Sequence, residues 1–128
     1  MPLLLPIVVL VGVSASPQSM DHHPVEACVG DDRGYSLCVA ETHFNEAEAK
    51  LGRQWALTLS HVKAREGARA ARHLRNEQAK WIKHRDSHCQ ALAAGSPVTQ
   101  QGRNYLSCME LLTAKRTVQL KAIAQSKT

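Results

Sequence analysis

Three long stretches of the chain repeat apolar residues every three or four positions, and this pattern constrains the fold more than any other feature. The stretches cover about residues 36–67, 67–94 and 96–125 of the 128 residues. Such spacing places the apolar side chains along one stripe of an α-helix. No stretch alternates convincingly with period two, as a half-buried strand does. The sequence therefore predicts an all-α fold of three long antiparallel helices in a small bundle.

Glycine, serine and proline mark the expected ends of these helices. Gly67 separates the first two stretches, and Gly95 is placed to end the second helix as its C′ residue. Ser96 and Pro97 follow with the pattern of an N-cap and a first helical residue. Gly102 is expected to delay the regular part of the third helix.

Charged and polar residues interrupt the apolar stripes of the second and third helices. Gln78 and Arg85 lie on the second stripe and Arg116 lies on the third. An arginine on an apolar stripe has to be paired or has to reach water with its tip. Candidate acceptors are Glu48, Asp86 and the carbonyl groups at helix C-termini.

Four cysteines indicate covalent cross-links. The cysteines are Cys28, Cys38, Cys89 and Cys108, and an oxidising compartment would pair them. Three pairings are possible. We favour Cys28 with Cys38 and Cys89 with Cys108, because each pair joins neighbouring segments across a polar stretch that contains glycine. Each loop closed in this way is worth about 3 kcal/mol in the chain-entropy model. The sequence contains no C-x-x-C motif, so a thioredoxin-like redox role is not indicated.

The first residues of the chain have the pattern of an export signal. Residues 3–13 are apolar and uncharged but too short to span a bilayer, and small residues follow up to Ala15. We therefore expect a periplasmic or secreted protein with no transmembrane segment in the mature chain. The alternative is a cytosolic protein that starts at Met20. The expected organisation is a signal peptide at 1–15, a flexible polar N-terminal segment at 16–35 and a helical domain at 36–126.

Charge is distributed unevenly along the chain. Residues 1–62 contain three basic and seven acidic groups, a net charge of −4, whereas residues 63–128 contain thirteen basic and four acidic groups, a net charge of +9. Either the acidic part complements the basic helices internally, or a basic face contacts an anionic partner such as an envelope polymer or lipid headgroups. Export argues against nucleic acid. The candidate basic face, assigned to the second helix, is Lys63, Arg65, Arg69, Arg72, Arg75, Lys80 and Lys83.

Residues 78–120 resemble the LprI-type family of bacterial secreted proteins, which is named for a lysozyme inhibitor. The family pattern is Q-x-x-W-x-x-x-R-D-x-x-C, followed by a spacer and then C-L-x-x-L-T-x-x-R-x-x-x-L. In this chain Met109 replaces the leucine that directly follows the second cysteine. The matching residues are Gln78, Trp81, Arg85, Asp86, Cys89, Cys108, Leu112, Thr113, Arg116 and Leu120. Apart from the cysteines and Leu120, we take these as family-motif residues with a structural or a binding role.

The resemblance extends into the first helix, where the family usually has D-x-x-L-N-x-x-Y. The corresponding residues are Glu48, Leu51, Gly52 and Trp55, and Gly52 departs from the family asparagine. The resemblance implies a helical domain in the bacterial envelope or outside the cell. For some members it implies inhibition of lysozyme.

Catalytic and metal-binding patterns have little support in the sequence. There is no G-x-S-x-G motif, no glycine-rich phosphate loop and no nucleophile with an evident base, so we expect no enzyme, no catalytic residue and no cofactor. His84 and His88 have the i, i+4 spacing of zinc or copper ligands. Two ligands do not make a structural site, so we expect no metal.

Two hypotheses for function follow. The first is an exported LprI-like binding protein, with lysozyme or another envelope protein as partner, that inhibits lysozyme by steric block of the muramidase cleft and its two carboxylates. Animal lysozymes are basic, so a +5 inhibitor needs the acidic loop around Asp31, Asp32 and Glu41, or a basic side chain inserted between the catalytic carboxylates. The alternative is a non-enzymatic envelope protein that binds anionic polymer or lipid headgroups through its basic helical face.

Overall fold

A computed structural model describes residues 26–126 and shows three helices in this part of the chain, with no strand. The helices are α1 (Tyr35–Glu66), α2 (Ala68–Ala94) and α3 (Gln101–Gln125), and a short 3₁₀ helix (Val98–Gln100) precedes α3. The all-α prediction is confirmed. The predicted signal peptide at 1–15 and residues 16–25 of the predicted polar segment lie outside the described residues.

Successive helices run antiparallel, so α1 and α3 run side by side in the same direction. Thr58 of α1 donates a hydrogen bond to the carbonyl oxygen of Leu120 in α3 at 2.9 Å. Seven residues later in α1, Arg65 reaches the carbonyl oxygen of Ile123 at 3.0 Å. Later residues of α1 thus contact later residues of α3, so the two helices are parallel. The most extensive contact in the bundle is between them.

A single residue, Gly67, connects α1 and α2. Its backbone has φ 93° and ψ −178°, a region that is essentially restricted to glycine. Its N–H donates to the carbonyl oxygen of Lys63 at 3.0 Å, and its own carbonyl accepts from the N–H of Ala71 at 3.2 Å. Because glycine tolerates this conformation, the chain reverses direction without a longer loop.

The link between α2 and α3 differs from the prediction in its details. The second helix ends at Ala94 with Gly95 after it, as predicted, although Gly95 is right-handed, with φ −80° and ψ −4°. Ser96 does not cap α3, because the 3₁₀ helix separates them. Its hydroxyl instead accepts from the side chain of Asn104 at 2.9 Å. The regular helix begins at Gln101, before Gly102, where a Cβ atom would lie 3.2 Å from Leu37 of α1.

The interior contains few large apolar side chains and several polar ones. Buried apolar residues are Cys28, Ala40, Leu51, Val62, Ala71, Leu74, Cys89, Ala93, Met109 and Leu120. Thr58, Gln78, Arg85 and Thr113 are buried beside them. Trp55 and Trp81 are only partly buried. A core this rich in alanine and polar groups depends on hydrogen bonds and cross-links as well as on apolar burial.

Two disulfides join the pairs favoured from the sequence, Cys28 with Cys38 and Cys89 with Cys108. The first ties the turns of residues 28–34 to the start of α1, and the second ties the last turns of α2 to the first turns of α3. Both cross-links therefore lie toward the same end of the bundle. No helix among residues 26–126 combines the length and apolar character needed to span a membrane.

Candidate functional site

The family-motif residues of α2 and α3 form one cluster in the middle of the bundle. Gln78, Trp81 and Arg85 are three, four and seven positions apart, so they share a face of α2. Thr113 and Arg116 face them from α3, as the hydrogen bonds between the two helices show. The apolar periodicity of the second helix predicted that Gln78 and Arg85 share a face. The structure adds that Thr113 and Arg116 of α3 contact this face.

Arg85 is the central residue of the cluster and is only 7% exposed. Its guanidinium group forms an ion pair with the carboxylate of Glu48 in α1. It also donates to the hydroxyl of Thr113 at 3.1 Å and to the neighbouring carboxylate of Asp86 at 3.0 Å. Both carboxylates named from the sequence as acceptors are thus confirmed, and one side chain connects all three helices.

The indole ring of Trp81 lies between two guanidinium groups. The Cζ atom of Arg85 is 5.1 Å from the ring centroid and that of Arg116 is 5.6 Å from it. The ring of Phe44 in α1 approaches Arg85 at 5.8 Å. These distances are in the range of cation–π contacts, which gain strength where water is excluded. The contact of Phe44 with Arg85 was not anticipated from the sequence, because it depends on the rotation of α1 about its axis.

Arg116 is paired through amides and not through a carboxylate. Its Nε donates to the side-chain oxygen of the buried Gln78 at 2.9 Å, and its Nη1 donates to that of Gln119 at 3.3 Å. Burial lowers the pKa of Arg116, and the charge of Glu77 acts in the opposite direction. An arginine remains protonated in proteins even so. The buried Gln78 amide therefore serves as a neutral acceptor for this cation.

The cluster satisfies its own hydrogen bonds. No buried side-chain nitrogen or oxygen atom within residues 26–126 lacks a partner. The remaining motif residue, Leu112, is partly buried beside a shallow apolar groove formed with Leu92 and Leu111. The geometry of the motif therefore explains a structural role for its polar residues, and it leaves none of them directed at an open binding site.

The predicted basic face is divided between two helices. The assignment of Lys63 and Arg65 to the second helix is wrong. Both precede Gly67, the single residue between the two helices, and therefore belong to α1. Arg65 donates to the carbonyl oxygens of Ile123 and Ser126, and so it caps the C-terminus of α3. The other five basic residues lie on α2 and are exposed. They are Arg69, Arg72, Arg75, Lys80 and Lys83.

The turns at the N-terminal side of α1 contain three carboxylates and one arginine, and their last residues lie beside the link to α3. We call residues 26–36 and 96–101 together the loop end, because residues 33–36 of the first segment and 98–100 of the second line one shallow groove with Arg103. Arg33 pairs with Asp31 at 3.3 Å and with Glu41 at 2.7 Å, so two of the three predicted acidic residues are already partnered. The hydrogen bonds from Arg33 hold the pKa of Asp31 below its usual value.

Exposed apolar side chains add to the loop end. Val29 is 75% exposed and Val98 is 83% exposed, and Tyr35 is nearly half exposed. Asp32 is exposed, and it forms no ion pair in the described part of the chain. Val98 was not predicted to lie on the surface, because nothing in its neighbourhood distinguishes it from a buried position of the third helix.

The histidine pair considered for metal binding lies on the surface of α2. The rings of His84 and His88 are stacked with their centroids 6.2 Å apart. Between residues 26 and 126, no group of three or more His, Cys, Asp or Glu side chains is arranged to hold a metal ion.

Comparison with known proteins places this fold in a family. The family model described as "Lysozyme inhibitor LprI" matches residues 31–120, which include all of α1, all of α2 and most of α3. Searches of curated proteins and of solved structures found no match. The family and the two disulfides together indicate an extracytoplasmic protein. The match covers well over half of the chain, and the protein belongs to the LprI lysozyme inhibitor family.

Proposed function

We propose that this protein is an exported, non-enzymatic inhibitor that blocks the cleft of a lysozyme. The observation that supports the proposal most directly is the family match over residues 31–120. Muramidases cleave their substrate between two carboxylates in a cleft. An inhibitor that covers such a cleft needs a rigid, complementary surface and no catalytic groups of its own.

Rigidity favours the loop end as the contact surface. The Cys28–Cys38 disulfide closes its longer segment, and the Cys89–Cys108 disulfide anchors the helices on either side of the shorter one. The ion pairs of Arg33 hold the turns against the start of α1. A surface that is ordered before binding loses less conformational entropy when a partner docks.

The chemistry of the loop end also fits a basic enzyme. Val29, Val98 and Tyr35 offer exposed apolar anchors, and the exposed carboxylate of Asp32 adds negative charge to the same end of the bundle. Complementary charge raises the rate of association, whereas the cationic surface of α2 would be repelled by a basic lysozyme. Because the whole protein has a net charge of +5, docking on a basic enzyme requires the loop end, whose residues 26–36 have a net charge of −2 from three acidic groups and one basic group.

The test is lysozyme turnover of labelled peptidoglycan in the presence of the oxidised protein. We compare Val98→Ser with Val118→Ser, which changes another exposed valine, 69% exposed, on α3 and away from the loop end. Loss of an apolar anchor should weaken inhibition about tenfold for Val98→Ser, and Val118→Ser should match the wild type. If neither animal nor bacterial lysozymes lose activity at a large excess of wild type, the proposal is wrong. Equal effects of the two variants would contradict the choice of the loop end.

A further inference from the structure

Four cations form a stripe on the side of α2 that faces away from the bundle. At 100° per residue, Arg69, Arg72, Lys80 and Lys83 fall within about 80° of one another around the helix axis. The buried residues Ala71, Leu74, Gln78, Arg85 and Cys89 lie on the opposite side. The stripe, which we call the α2 stripe, is about 21 Å long at the rise of an α-helix. Arg75 lies outside it, about 60° further around the helix axis than Arg72.

The charges of the α2 stripe are not cancelled by neighbours. All four side chains are exposed, and none of them forms an ion pair within the described residues. Of the two acidic residues of α2, Asp86 binds Arg85, and Glu77 lies 4.0 Å from His73, a contact that is an ion pair only when the histidine is protonated. A row of unpaired cations on one helix produces a concentrated positive potential that attracts polyanions.

The surroundings of the α2 stripe favour a polymer over a membrane. Helices that lie on bilayers bury large apolar side chains in the lipid beside their basic residues. The exposed large apolar residues of α2 are Ile82 and Leu92, and both lie on the half of the helix that faces the bundle. The stripe itself is interspersed with Asn76, Ala79 and Ser87. It therefore has charge for an anionic partner but nothing to insert into a lipid layer.

We propose that the α2 stripe binds a linear anionic polysaccharide outside the cell, with its cations paired to successive charged groups of the polymer. This function is separate from lysozyme inhibition. The stripe ends at Lys83, about 16 Å along the helix from the end of α2, near which the loop end lies. The two surfaces can therefore be occupied together, so the polymer would hold an inhibitor at the cell surface, where lysozymes attack.

The experiment measures binding of the oxidised protein to polygalacturonate, a linear polymer with one carboxylate on each sugar, at low and high salt. The test variant has Arg69→Gln, Arg72→Gln, Lys80→Gln and Lys83→Gln. The matched control has Lys50→Gln, Arg53→Gln, Lys115→Gln and Lys121→Gln, which remove the same charge from exposed positions of α1 and α3. We expect at least a tenfold loss of affinity and a weaker salt dependence for the test variant, and less than a threefold loss for the control.

Three results would overturn the inference. Equal losses in the two quadruple variants would mean that net charge, and not the stripe, governs binding. Undetectable binding of the wild type to polygalacturonate at low salt would remove the polymer as a partner. Stronger binding of the wild type to vesicles with anionic lipid than to the polymer would favour a membrane partner. Lysozyme inhibition is measured on the same variants. Because inhibition is assigned to the loop end, a protein that fails to inhibit lysozyme can still bind the polymer, and the two proposals are tested separately.

Discussion

Arg85 of α2 and Glu48 of α1 form an ion pair across the bundle, although the arginine side chain is only 8% exposed. A buried cation is costly unless it is paired and hydrogen-bonded, and here Asp86 and Thr113 accept two further hydrogen bonds. The carboxylate of Glu48 is much more accessible than the guanidinium group. We infer that the arrangement fixes the relative positions of the three helices, since a slip of α1 would separate Arg85 from Glu48 and a slip of α3 would separate it from Thr113.

Replacing Arg85 should therefore destabilise the fold strongly. Arg85→Ala removes the ion pair, leaves the buried Thr113 hydroxyl without its donor and exposes the ring of Trp81. We expect a loss of about 3 kcal/mol in the free energy of unfolding, measured by urea denaturation. Lys80→Ala, an exposed change on the same helix, should alter stability by less than about 0.5 kcal/mol. Equal stability of the two variants would contradict a structural role for Arg85.

The boundaries of α1 and α2 follow closely from the sequence, whereas the start of α3 and the contacts between helices follow only in part. Apolar periodicity and Gly67 place α1 and α2 within about one residue, because both signals are local. The disulfide pairing could also be predicted from the sequence, since each bridge joins segments that are close in sequence. The motif residues were correctly grouped on helix faces for the same reason.

The acceptors of Arg85 could be predicted from the sequence, whereas the acceptor of Arg116 could not. Glu48 and Asp86 were named as acceptors and do bind Arg85. The pairing of Arg116 with Gln78 was not foreseen, because it depends on the axial position of α3 against α2. The role of Arg65 at the end of α3 likewise requires the parallel packing of α1 and α3, which no local pattern encodes.

Two glycines in helical surroundings should respond in opposite directions to alanine. Gly52 lies inside α1, and a Cβ atom there would meet no neighbour, so Gly52→Ala should stabilise the protein by about 1 kcal/mol. Gly67 also has open space around it, but its positive φ disfavours any other residue, so Gly67→Ala should destabilise by about 1–3 kcal/mol. Thermal unfolding of both variants checks the pair. Changes of the same sign would show that backbone conformation at Gly67 is not the controlling factor.

The Cys89–Cys108 disulfide should make a large contribution to stability. Its partners are 19 residues apart, and the chain-entropy model assigns about 3 kcal/mol to a loop of this length. We expect the Cys89→Ala, Cys108→Ala double variant to lose about this amount in urea unfolding, relative to the oxidised wild type. Full reduction of both proteins provides the control, because it should remove most of the difference between them. A double variant as stable as the oxidised wild type would contradict the prediction.

The hydrogen bonds between Asp31 and Arg33 should make the loop end sensitive to acid. Arg33 lowers the pKa of Asp31, so the folded-state value lies below the unfolded value of about 4. The stabilisation is therefore fully present above that pH and is lost as the pH falls through the folded-state pKa. Arg33→Ala should raise the pKa of Asp31 in a carboxyl NMR titration and should lower the melting temperature at pH 7 more than at pH 3. Arg53→Ala, which removes an exposed arginine of α1 that forms no ion pair within residues 26–126, should leave the pKa of Asp31 unchanged. If both variants shift that pKa equally, the effect comes from overall charge and not from the contact between Asp31 and Arg33.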